Sequence, residues 1–218
     1  MNLFDWDFTL QILPQLVQAS LKTIGITLVA FALAVVLGLF LAVARRNRHF
    51  WLSWPAASVI EFIRSTPLLI QVYFLFYVLP SYGLNMTALV AGTLGIALHY
   101  ACYTAEVYRA GLDSVPRGQW EAVTALNLSP WKAYRDVILP QAIRPILPAL
   151  GNYLIAMFKD TPVLSAITVV EIMQQAKNIG SESFRYLEPI TLVGLFFLTI
   201  SIVLAFGVRQ VESRTALR

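Results

Sequence analysis

Cysteine and charge are what this sequence has least of. Its one cysteine, Cys102, excludes an internal disulfide framework and any cysteine-rich metal site. Charged residues make up 13% of the chain, about half the share of a soluble globular domain. The same scarcity excludes disorder, which needs high charge and low hydrophobicity. The net charge is +4, but the basic residues are not gathered on one surface, so no nucleic-acid partner is indicated. No internal repeat, low-complexity segment or second domain is visible across residues 1–218. Apolar residues are abundant: 58% of the chain is hydrophobic and the mean hydropathy is +0.68. In a bilayer this length accommodates about five spans of ~20 residues with their connections.

The uncharged runs place the spans. Residues 24–44 and 189–208 carry no charge and are each long enough to cross a bilayer core. A longer uncharged stretch, 65–105, breaks at Leu79-Pro80-Ser81-Tyr82-Gly83-Leu84-Asn85, where Pro, Ser, Gly and Asn supply turn chemistry. It predicts spans at 55–79 and 86–108. A fourth span is expected at 141–163, interrupted by Lys159-Asp160-Thr161-Pro162, with a polar loop or short surface helix over 171–188. Residues 8–20 place Phe8, Ile12, Leu16 and Val17 near one helical face and Gln11, Gln15 and Gln18 on another, which predicts a separate amphipathic helix at the outer interface. Ala42-Val43-Ala44 looks like a signal-peptidase site, but its Arg cluster follows the apolar run and its N-terminal flank is acidic, the reverse of a cleavable signal.

Eleven of the sixteen Lys and Arg fall after span one, between spans three and four, or in the C-terminal tail. The positive-inside rule puts those segments in the cytoplasm. The expected fold is therefore an all-α membrane protein with five spans, its N-terminus outside and its C-terminus cytoplasmic.

The loop at 115–137 is the most informative stretch. It reads as two short helices, the first over about 119–126. Asn127 is suited to the left-handed position that ends a helix. Ser129 can cap the second helix, with Pro130 in its first turn. Trp131, Tyr134 and Val137 fall on one face of it, a plausible docking surface, although a plain solvated loop fits the spacing as well.

This loop resembles the EAA loop of permease subunits from ATP-binding-cassette importers, whose pattern is Glu-Ala-Ala, three residues, Gly, nine residues, Ile, any residue, Leu-Pro. Here it reads Glu121, Ala122, Val123, Asn127, Val137, Leu139 and Pro140, with Val123 for Ala, Val137 for Ile and Asn127 for Gly. Glu61-Phe62-Ile63-Arg64-Ser65-Thr66-Pro67, Tyr103-Thr104-Ala105-Glu106-Val107-Tyr108-Arg109-Ala110-Gly111 and Lys159-Asp160-Thr161-Pro162 resemble segments of polar amino acid permeases. The similarity covers about residues 20–212 and points to the His/Glu/Gln/Arg/opine branch, which also contains ectoine permeases.

The resemblance implies a type I importer permease fold in a bacterial cytoplasmic membrane. It also implies that Glu121, Ala122, Val123, Asn127, Leu128 and Trp131 couple to a cytoplasmic ATPase dimer. Further implied partners are a second permease subunit, identical or homologous, an extracytoplasmic solute-binding protein and a small zwitterionic solute. The sequence has no Gly-x-x-x-x-Gly-Lys-Ser/Thr loop, so no cofactor is expected in this chain, and ATP and Mg would bind the partner ATPase.

Charges inside a membrane are costly and are functional candidates by default. At ~1.5 Å per residue, Asp160 lies about 22 Å beyond Pro145 and Arg64 about 14 Å beyond Pro55. Arg64 or Lys159 could meet a carboxylate and Asp160 an ammonium or guanidinium. Ser65, Thr66 and Gln71 add neutral hydrogen-bonding groups, and Tyr73, Phe74, Tyr77, Tyr100 and Tyr103 add aromatic faces. The bland alternatives are a Glu61–Arg64 pair and a Lys159–Asp160 pair. Two further readings are an intramembrane enzyme built on His99 and Cys102, and a membrane scaffold without a transport pathway.

Overall fold

The computed structural model describes residues 4–216; helices joined by short connections make up most of them, with no strand among them. Helix α1 runs Trp6–Arg45. The Asp5 carboxylate starts it by accepting the N–H groups of Asp7 and Phe8 at 3.0 and 3.1 Å. The separate interfacial helix expected at 8–20 is instead the first part of this continuous helix. No proline falls between residues 15 and 54, and the Thr23 and Thr27 hydroxyls donate back to the carbonyls of Ala19 and Thr23. That first part is also packed: Ile12, Leu16 and Ala19 are buried in a cluster with Ile172, Ala176, Ile179 and Val193.

Helix α2 (Phe50–Arg64) and helix α3 (Leu68–Tyr73) share the apolar run expected as one span at 55–79, but the chain bends by 107° between them. Pro67 disfavours helical backbone at Thr66 and is itself extended. Carbonyls freed by such a break need donors inside a membrane. Gln71 supplies them: its Nε2 donates to the Ile63 carbonyl at 2.7 Å, to the Thr66 carbonyl at 3.0 Å and to the Thr66 hydroxyl at 2.7 Å. A π-helical turn over Phe74–Val78 and a tight 3-10 turn over Leu79–Tyr82 follow, ending at Gly83 with φ +83°.

Helix α4 (Ala88–Asp113) is capped by Thr87 and is the most buried of the long helices. Short helices α5 (Arg117–Ala125) and α6 (Pro130–Lys132) lead through a π-helical turn into α7 (Leu139–Asp160). A 3-10 turn over Thr161–Ile167 connects α7 to α8 (Ile172–Ser183), and α9 (Leu187–Ala216) closes the bundle. Among the described residues, helices α1, α4 and α9 are each long and apolar enough to cross a membrane; counting each of two bent pairs as one span gives up to five.

Close backbone approach holds α1 against α4. Ala30 and Ala34 of α1 are buried against Ala97 and Tyr100 of α4, and the Thr104 hydroxyl crosses to the Ala34 carbonyl at 2.9 Å. A Cβ added to Gly38 would stand 1.9 Å from Thr104 Oγ1 and 2.8 Å from the Ala101 carbonyl oxygen. Small residues of this kind let helices meet where the surroundings are as apolar as the side chains.

The far end of the bundle is tied by polar contacts. Arg185 pairs with Asp5 at 3.0 Å and with Glu188, and it lies over the Phe8 ring. The Asp5 main-chain N–H donates to Glu188 at 3.1 Å. Backbone N–H bonding from Phe8 and the Arg185 guanidinium lower the Asp5 pKa below the usual carboxylate value. Glu171 caps α8, accepting from the N–H groups of Met173 and Gln174 at 2.9 and 2.8 Å, and Thr23 accepts from Ile172 N–H at 3.1 Å.

Candidate functional site

Helix α4 carries the central site on one face. Tyr100 is 5% exposed, and its hydroxyl donates to Asp160 Oδ2 at 2.6 Å. Tyr103, one turn on, and Tyr153 of α7 complete a triangle with it: the three ring centroids stand 5.8 to 6.0 Å apart. Asp160 is the last residue of α7, where the following Thr161-Pro162 tightens the chain into a 3-10 turn. A carboxylate at a helix C-terminus meets the negative end of the helix dipole. Among the described residues no Lys or Arg pairs with Asp160, and its hydrogen-bond partner is the neutral Tyr100 phenol. The site therefore presents a carboxylate with no paired cation among the described residues, beside aromatic faces, which is chemistry suited to a cationic group.

Arg64, at the end of α2, lies over the Tyr103 ring with its Cζ 5.2 Å from the centroid. It does not pair with Glu61 among the described residues, so that alternative is not formed. Lys159 points away from Asp160 into a groove between α7 and α9 lined also by Asn152, Phe197 and Ser201, so the Lys159–Asp160 pair is not formed either. One residue step on a helix turns a side chain by ~100°, which separates the two charges.

Gln71 and Thr66 are committed to the α2–α3 bend. Gln71 Oε1 lies 3.0 Å from His99 Nδ1. Because the Gln71 amide nitrogen is already donating, its oxygen accepts, which assigns the His99 proton to Nδ1. Ser65 is exposed beside the bend. Cys102 is buried in an apolar cluster with Ala42, Ile60 and Ala105, while the His99 ring contacts Tyr100, Tyr103 and Gln71. The two residues thus serve different surroundings and form no nucleophile–base pair.

The second candidate site is the α5–α6 loop. Asn127 is left-handed with φ +51°, and the next N–H, on Leu128, reaches back to the Val123 carbonyl at 3.0 Å, ending α5. Ser129 stands at the α6 cap position without a side-chain cap bond, and Pro130 opens the helix. Val123 is buried and anchors α5, while Glu121 and Ala122 are exposed and Leu128 is half-buried. Leu126 and Trp131 are each 71% exposed, so the loop offers an apolar rim around an acidic residue.

A polar ladder behind this loop is not visible in the sequence pattern. Arg45 pairs with Glu106, Glu106 with Arg109 at 2.9 Å, Arg109 with Asp113 at 3.0 Å, and Asp113 with Arg46 at 2.9 Å. Arg46 then lies 6.0 Å from the centre of the Trp120 ring on α5, and Trp120 packs edge-on against Tyr134. The i, i+3 and i, i+4 spacing of Glu106, Arg109 and Asp113 is legible on a helix. The α1 arginines that complete the ladder join it only through the fold.

Comparison with known proteins agrees with this geometry. Residues 34–217 match the family described as binding-protein-dependent transport system inner membrane component. A probable amino-acid ABC transporter permease protein, y4tG of Sinorhizobium fredii, is 45% identical over 216 residues, covering 96% of this chain and 94% of its own. The glutamine transport system permease protein GlnP of Escherichia coli is 36% identical over 213 residues, covering 97% of each. The solved structure of an amino acid ABC transporter with histidines superposes with a TM-score of 0.93 at 33% identity, over 97% of this chain and 99% of that one. The inward-facing MetNI methionine transporter shares the fold, with a TM-score of 0.79 at 19% identity over 94% and 98% of the two chains. The chain belongs to the binding-protein-dependent transport system inner membrane component family and is an amino-acid ABC transporter permease subunit, a transport component and not an enzyme.

Proposed function

We propose that this permease moves a polar amino acid or related zwitterion, ectoine included, inward across a bacterial cytoplasmic membrane, and that Asp160 receives the solute's cationic group. The observation that carries the reading is the Tyr100–Asp160 hydrogen bond at the C-terminus of α7, with Tyr103 and Tyr153 beside it and, among the described residues, no basic residue paired to the carboxylate. The phenol fixes the carboxylate orientation, and the rings exclude water. Arg64, stacked on Tyr103 at the rim, meets the solute carboxylate. Glutamine is named for one relative, and its ammonium and carboxylate fit this two-point scheme.

A solute-binding protein delivers the zwitterion on the outer side. A second permease, identical or homologous, completes the pathway. The chain crosses five times, with its N-terminus outside and its C-terminus in the cytoplasm. The exposed Glu121, Leu126 and Trp131 dock the ATPase dimer, which holds ATP and Mg. When the ATPases close, α5 is drawn with them, and the Trp120–Arg46–Asp113 contacts pass that movement to α1 and α4.

The test is uptake of a panel of zwitterionic solutes by the reconstituted transporter, comparing wild type with Asp160→Asn. Loss of uptake, with ATPase association and basal ATP hydrolysis retained, supports the assignment. Wild-type uptake by Asp160→Asn overturns the assignment of Asp160 to the solute.

A further inference from the structure

We propose that the first turn of α2 is a binding site for an anionic phospholipid. The inference rests on the membrane reading alone and is independent of which solute is carried.

Three arginines lie at the corner between α1 and α2. Arg45 and Arg46 are taken by Glu106 and Asp113 of α4. Arg48 is exposed and makes no ion pair or hydrogen bond among the described residues. Asn47 holds the corner in place by accepting the His49 N–H at 2.9 Å. The arginine beyond it is thus carried on an ordered turn, with its charge uncompensated.

After Arg48 and the exposed His49, which stands at the N-cap of α2, come Phe50, Trp51 and Trp54. Phe50 contacts both tryptophans, with ring centroids 6.2 Å from Trp51 and 6.1 Å from Trp54. With Pro55 the three rings line a notch of about 340 Å³. The rings are not core: Trp51 is 88% exposed, Phe50 62% and Trp54 59%, and none belongs to a buried cluster. All four lining residues come from the first two turns of one helix, so the notch opens outward from the bundle.

Chemistry and depth select the occupant. The guanidinium of Arg48 and the two indole N–H groups are donors without acceptor capacity, and neither indole has a partner among the described residues. The first turn of α2 contains no acidic residue. An unpaired arginine two residues before an apolar notch edged by indole N–H donors complements a molecule with an anionic acceptor head and a hydrocarbon tail. The corner lies where the uncharged run 24–44 gives way to arginine, which is the headgroup level, where indoles also sit. The phosphate meets Arg48, the ester oxygens meet the indoles, and an acyl chain lies in the notch.

The experiment is native mass spectrometry of the intact purified chain in mild detergent, with phosphatidylglycerol and phosphatidylcholine of the same acyl composition added in turn. One arginine at a charged surface gives about a fivefold preference for the anionic lipid, and the wild type is expected to retain phosphatidylglycerol by that ratio. Arg48→Gln brings the ratio to about one, whereas Arg48→Lys keeps it. Trp51→Ala combined with Trp54→Ala lowers retention of both lipids. Equal retention of the two lipids by the wild type overturns the proposal, as does an unchanged ratio in Arg48→Gln. If Arg48→Gln does not purify as a folded helical chain, the lysine variant decides: a ratio of one in Arg48→Lys with normal helicity also overturns it. Sidedness is read separately, so a site in the opposite leaflet leaves the lipid preference intact while correcting the topology.

Discussion

The Tyr100 hydroxyl donates to Asp160 at 2.6 Å, joining the middle of α4 to the end of α7 across 60 residues of sequence. Tyr100→Phe keeps the ring in its triangle and removes only the donor. A hydrogen bond to a charged group is worth ~1.5–3 kcal/mol. Uptake by the reconstituted transporter is therefore expected to fall about 10- to 100-fold, with basal ATP hydrolysis unchanged. Wild-type uptake by this variant would show that Asp160 needs no orienting partner.

Asn127 sits at φ +51°. Glycine adopts that region freely, so Asn127→Gly retains the turn and the ATPase contact. A β-branched side chain there costs roughly 1–2 kcal/mol. Asn127→Val is expected to weaken co-purification of the ATPase while leaving the circular dichroism of the bundle intact. Undiminished co-purification would remove the turn geometry from the account of coupling.

Gly38 and Gly25 lie on the same helix and give a controlled pair. Any side chain at Gly38 meets Thr104 Oγ1 and the Ala101 carbonyl, whereas nothing stands within 4 Å of a Cβ at Gly25. Gly38→Ala should destabilise the detergent-solubilised protein by ~1–3 kcal/mol through overpacking. Gly25→Ala should be neutral or stabilise by up to ~1 kcal/mol through helix propensity. Thermal unfolding of the two variants checks the contrast, and equal midpoints would contradict the close α1–α4 approach.

Glu171 is fully buried at the α8 cap, outside the uncharged apolar runs. Burial pushes its carboxyl up to about 6, against the opposing pull of the Met173 and Gln174 N–H groups and of Lys177. A folded-state value above the unfolded one contributes stability below the unfolded value, lost as pH rises through the folded one. The window is about pH 4.5 to 6 and the loss is ~2 kcal/mol. Glu171→Gln carries no such titration, so its thermal midpoint relative to wild type should rise across that window. A constant difference between the two proteins from pH 4 to pH 7 would refute the assignment.

The membrane class, the helical content and the α5–α6 loop were legible in the chain itself. Long uncharged runs have no alternative to helix in a bilayer, because every backbone polar group must be satisfied within the segment. The Asn127 turn was legible because left-handed backbone narrows the choice of residue to very few. The α2–α3 bend was not. Pro67 signals a break, but its 107° angle depends on Gln71 folding back to hold the freed carbonyls. The division of α1 near residue 20 was drawn from a change in polarity. The helix ignores it, because Ile12, Leu16 and Ala19 find a buried surface on α8 and α9.

The charged candidates mark the same boundary. Composition and position show that Arg64, Lys159 and Asp160 stand in apolar surroundings, and hence that each must be explained. Which way each one faces follows from helix phase and from what packs against it. Lys159 lines the groove between α7 and α9, whereas its neighbour Asp160 accepts a hydrogen bond from Tyr100, which is distant in sequence. Local covalent chemistry and hydrophobic periodicity decide what each segment becomes. Only the packing of α4 against α1 and α7 decides which side chains meet, because that choice is made by long-range contacts with no local signature.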